Sequence, residues 1–146
     1  MDPRATKDAA AKVLYEWEMF EWCGQEAAKK HAHRGMKNSL LESFLIHARV
    51  LYDFFVTPAT RDDISAQHFF DDPNTWANST QNLCPYLRSE RIRLQGMVPH
   101  LTYRRLDYER AGQKEWDVSA VTKDISQAWQ QFLSALPKDR AAWFTR

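Results

Sequence analysis

Between Asn38 and Val56 the chain is apolar around most of a helical circumference. Leu40, Leu41, Phe44, Leu45, Ala48, Leu51, Tyr52 and Phe55 recur at three- and four-residue spacing, and Ile46, Val50 and Phe54 widen the stripe. Only Glu42, Arg49 and Asp53 share a clearly charged face. A helix this apolar needs neighbours on several sides, which predicts a helical bundle with this segment at its centre. Thr57-Pro58 predicts its end, because a residue before proline is pushed out of the α region.

The remaining punctuation agrees with that frame. Four glycines and six prolines in 146 residues leave little turn chemistry, so a few long elements are expected rather than many short strands. A first helix is predicted from Ala5 to Cys23, with Asp2-Pro3 as its cap and first turn and Gly24 as its stop. The basic segment from Gln25 to Gly35 reads either as a loop or as the first turns of the second helix. From Ala59 to about Asn82 the pattern is irregular, and Phe69, Phe70 and Trp76 predict that this long connection is pinned to the bundle. A third helical region is expected from Pro85 to Leu106, kinked where Gly96 and Pro99 weaken one turn. Asp117 or Ser119 caps a last helix carrying Val118, Val121, Ile125, Ala128, Trp129, Phe132 and Leu136, and Pro137 ends it. The predicted fold is all-α: one domain over 1–146, a four-helix up-and-down bundle with one long loop between the second and third helices.

Charge and composition narrow the function classes. A formal net charge of +1 gives no global attraction to nucleic acid or membrane. Cys23 and Cys84 do not have metal-site spacing, neither long helix carries a Glu-x-x-His pair, and no run of about 18 apolar residues occurs. The expectation is a cytoplasmic protein without metal, cofactor or membrane span. Six tryptophans, five tyrosines and eight phenylalanines mostly suit a core. Tyr15, Met19 and Trp22 on the far face of the first helix, with Trp143 and Phe144 in the tail, are candidates for a dimer surface.

Two groups of residues carry chemistry. Arg93 and His100 stand seven apart, almost two helical turns, and are expected to converge on one solvent-reachable pocket with Glu90 and Arg104 beside them. A fixed cation next to a side chain that titrates near neutrality suits a phosphate ester. The histidine would move protons, and Arg93, helped by Arg104, would hold the charge that develops on phosphate. The bland alternative is a hydrogen-bonded histidine at a kink beside a solvated arginine face. The second group, Glu42, His47, Arg49 and Asp53, reads as a polar network in the central helix, with Ser43 facing His47. Its alternative role is to orient Arg93 or His100 from across the bundle.

The segment Arg93-Leu94-Gln95-Gly96-Met97-Val98-Pro99-His100 resembles the Arg-x4-6-His signature of the HEPN superfamily. The helical layout and the helix from Leu40 to Phe55 are similar to that family as well. The resemblance implies a small helical bundle, a homodimer with Arg93 and His100 of both chains facing a shared cleft, and metal-independent cleavage of single-stranded RNA. Leu94 stands where catalytic members commonly have a polar residue, and Pro99 directly precedes the histidine. Those departures imply a degenerate relative that only binds a partner or RNA; the alternative is a non-enzymatic helical protein-interaction module, a partner of toxin–antitoxin or defence type.

Overall fold

The computed structural model describes residues 2–30, 33–97 and 115–145, with backbone alone at 96 and 97. Among them the architecture is all-α, without strands. Helix α1 spans Lys7–Ala28 and α2 spans Arg34–Val56. The two run antiparallel, since Glu16 meets His47 while Phe20 stacks on Phe44 and Cys23 meets Ser43.

The cap of α1 is Thr6, whose hydroxyl accepts the Ala9 N–H at 3.2 Å. Asp2 does not cap it; its carboxylate takes the Arg4 backbone and guanidinium N–H groups instead. Nor does Gly24 stop the helix, because Gln25-Glu26-Ala27-Ala28 are good helix formers and carry it another turn. What Gly24 provides is closeness: a Cβ there would lie 3.1 Å from the Phe44 ring. The small residue lets α1 and α2 pack on that ring. His33 caps α2, its Nδ1 accepting the Gly35 N–H at 3.1 Å, so the helix starts four residues before Asn38.

The connection after α2 is pinned, as its aromatic residues predicted. It holds a 3-10 turn, Ala66–Phe69, and a short helix α3, Pro73–Ala77, capped by Asp72. The Trp76 indole donates to the Phe55 carbonyl at 2.9 Å inside the core, anchoring α3 to the end of α2. Helices α4, Pro85–Ser89, and α5, Arg91–Met97, follow, within the helical region expected from Pro85 to Leu106, whose kink or break was expected at Gly96 and Pro99. The break falls at Glu90, and the expected kink around Gly96 and Pro99 extends beyond the described residues. Helix α6 spans Val118–Ala135 with Asp117 as its cap, and Leu136 closes it before Pro137. A last turn, α7 at Lys138–Ala141, leads into a 3-10 turn, Ala142–Phe144.

Phe132 of α6 is the hub of the core. Its ring centre lies 5.0 Å from that of Phe144, 5.2 Å from Phe54 and 5.5 Å from Trp76, all edge-on. Such contacts favour the ring quadrupoles as well as removing a large apolar area from water. Trp17 of α1 stacks flat on Trp129 at 4.7 Å, joining the α1–α2 pair to α6. Phe144 is therefore core, not part of a dimer surface, and Trp143 is partly buried against the same cluster.

Candidate functional site

Arg93 is one of four buried polar or charged side chains among the described residues. It stands in the first turn of α5, just after the break at Glu90. The guanidinium Nε lies 2.6 Å from Glu90 Oε2, an i,i+3 ion pair. Nη1 donates to the Glu115 carbonyl at 3.1 Å and Nη2 to the Tyr86 hydroxyl at 3.3 Å. The Trp116 ring lies against its face, 4.0 Å from the central carbon. The Tyr86 oxygen also accepts the Asp117 N–H at 3.2 Å, so one tyrosine joins the arginine to the cap of α6.

A guanidinium taken out of water needs a counter-charge and hydrogen-bond acceptors; Glu90 supplies the charge, and the Glu115 carbonyl and Tyr86 hydroxyl accept from Nη1 and Nη2. With 7% of its surface exposed, Arg93 ties α4 and α5 to the start of α6. Glu90, expected beside it, is there. His100 and Arg104 lie outside the described residues. Glu115 and Trp116 escaped the sequence reading because they reach Arg93 only through the tertiary fold; Glu90 at i,i+3 and Tyr86 seven residues before Arg93 were the local signals, and only the first was read.

The polar group of α2 is arranged differently from its expectation. His47 pairs with Glu16 of α1, Nδ1 to Oε2 at 2.6 Å, and packs edge-on against Tyr15. Ser43 accepts from the Cys23 thiol at 3.4 Å instead of facing His47. Arg49 and Asp53 pair loosely at 3.9 Å, while Asp53 accepts the Thr57 hydroxyl at 2.7 Å and closes the end of the helix. Glu42 is exposed on the outside. These partners lie on α1 or within the α2 region itself, so the group braces the hairpin.

A third polar group was not foreseen. Asp124 of α6 is buried and accepts the Leu87 N–H at 2.8 Å, supplying the start of α4 with an acceptor. Burial pushes its carboxyl upward, against the pull of the Leu87 and Tyr86 N–H groups. Beside it Cys84 takes a left-handed conformation, φ 52°, and burial pushes its thiol up to about 12. A thiol that stays protonated is a poor nucleophile and a poor metal ligand.

Among the described residues no group of three His, Cys, Asp or Glu side chains is placed to hold a metal ion. No described helix is long and apolar enough to cross a membrane. Comparison of the chain with protein-family models, curated proteins and solved structures finds no match.

Proposed function

We propose that this chain is a helical interaction module that docks a second copy of itself through the outer face of the α1–α2 hairpin. One observation carries the reading. Tyr15 and Trp22 of α1 are 53% and 51% exposed, and Met36 and Ile46 of α2 are 56% and 44% exposed. Tyr15 and Trp22 are seven residues apart and share one side of α1, with Met19 between them. The edge-on contact of Tyr15 with His47 puts that side next to α2. Scattered exposed apolar residues are ordinary, but a neighbouring set of aromatic and long aliphatic side chains marks an interaction surface.

A second copy related by a two-fold axis would set this face against itself, with the same residues on both sides, as an isologous contact requires. This reading takes the third helical region as a bundle member, completing a four-helix up-and-down arrangement.

The ribonuclease reading, with Arg93 on phosphate and His100 moving protons, is the weaker of the two. It needs Arg93 to exchange Tyr86, Glu115 and Trp116 for a substrate. Light scattering and an RNA assay with chelator test both readings on one sample. We expect a particle of twice the 17.2 kDa chain mass and intact single-stranded RNA. A strict monomer would overturn self-docking. RNA cleavage lost on His100→Ala would restore the nuclease.

A further inference from the structure

A cleft of about 520 Å³ opens between α1, the second half of α2, the connection that follows it and Gln95 of α5. Its volume lies within the range of small-molecule sites, about 300–1,000 Å³. Val13, Leu51 and Phe54 form an apolar floor that belongs to the main core. Val50 and Ile64 stand at its sides, each 42% exposed although the core lies directly below. Among the described residues, the charged groups that line it are Glu16, Asp53, Asp62 and Asp63 against Lys12; His47 pairs with Glu16, Arg49 lies 3.9 Å from Asp53, and the Arg4 charge acts on Asp62 from outside the lining.

Each part of this lining limits what can enter. The carboxylates repel phosphates, nucleic acid and other anions. They are not gathered as a metal cage, since no described trio of ligating side chains is placed for one. Asp63 is already occupied by the Thr60 N–H and hydroxyl, at 2.9 and 2.6 Å, and Asp53 by Thr57. Asp62, exposed on the rim, is the carboxylate best placed to meet an incoming charge. A simple hydrated cation would leave the floor and the two aliphatic side walls in water. Only a ligand that is apolar at one end and positive at the other matches both layers.

We infer that this cleft binds a small organic cation, a primary amine or guanidinium carried on a hydrocarbon or aromatic body. The apolar body rests on Val13, Leu51 and Phe54 between Val50 and Ile64, and the cationic head lies toward Asp62. This site is separate from the Tyr15–Trp22 ridge and does not depend on self-docking.

The test titrates 4-phenylbutylamine into the ¹⁵N-labelled full chain and follows amide shifts. Matched probes are 4-phenylbutyrate, with the same body and opposite charge, and spermidine, with charge but no apolar body. We expect saturable shifts around Val50, Asp62 and Ile64 with the amine below about 10 mM, and clearly weaker binding of both other probes. Asp62→Asn, an exposed change that leaves the fold intact, weakens the amine about two- to fivefold, the size of one surface charge contact. Asp62→Lys weakens it further and admits the butyrate. Equal binding of amine and butyrate, shifts confined to another surface, or no saturation over that range would each overturn the assignment.

Discussion

Arg93 shows what a single residue does in this fold. Its charge is tolerated inside because Glu90, Tyr86, the Glu115 carbonyl and the Trp116 ring surround it, and removing it leaves those groups without a centre. Arg93→Ala is expected to destabilise the protein by about 3 kcal/mol, in the range for breaking a buried ion pair. Arg93→Lys recovers only part of that, since an ammonium cannot span three acceptors and lie flat on an indole. Urea denaturation of the two variants measures the difference; equal stability of Lys and wild type would contradict the clamp.

Asp124 gives a residue-scale prediction with a pH sign. Burial holds its folded pKa above the unfolded value, so its contribution to stability is fullest below the ordinary carboxylate range and is lost as pH rises through the folded pKa. Asp124→Asn keeps an acceptor for the Leu87 N–H without the buried charge. We expect it to change stability at pH 7 by less than about 1 kcal/mol, whereas Asp124→Ala loses about 1–3 kcal/mol. Any gain of Asn over Asp should shrink as the solution is acidified. Thermal melts at pH 7 and pH 4 check this; a gain that grows on acidification would contradict it.

Elements were legible in the sequence where period and local chemistry agreed. The apolar stripe of α2, the Asp117 cap and the stop before Pro137 are local signals, and the structure follows them. Gly24 was misleading because a helix glycine has two readings, a stop or a close approach, and only the Phe44 ring on the other helix distinguishes them. The break at Glu90 had no local signal, since it accompanies the meeting of Tyr86 and Arg93 with α6. His47 was visible as a polar residue, but its partner Glu16 lies 31 positions away. Gly24→Ala tests the packing account of the hairpin. Its gain in helix propensity, about 1 kcal/mol, is opposed by a Cβ at 3.1 Å from a ring buried on both sides. We expect a net loss of about 1 kcal/mol on chemical denaturation; a gain of the full propensity would mean that Phe44 yields freely.

The whole molecule divides into an aromatic core around Phe132 and a hairpin face left apolar on the outside. Because the core already encloses Trp17, Trp76, Trp129 and Phe144, the exposure of Tyr15 and Trp22 is not a shortage of interior. That contrast makes the hairpin face the surface to test. Sedimentation equilibrium over a concentration series, on the wild type and on Trp22→Glu, is the most direct measurement. The account predicts a monomer–dimer equilibrium for the wild type and a monomer for Trp22→Glu, with both melting alike at low concentration. A wild type that stays monomeric at every concentration, or a dimer that Trp22→Glu leaves untouched, would contradict it.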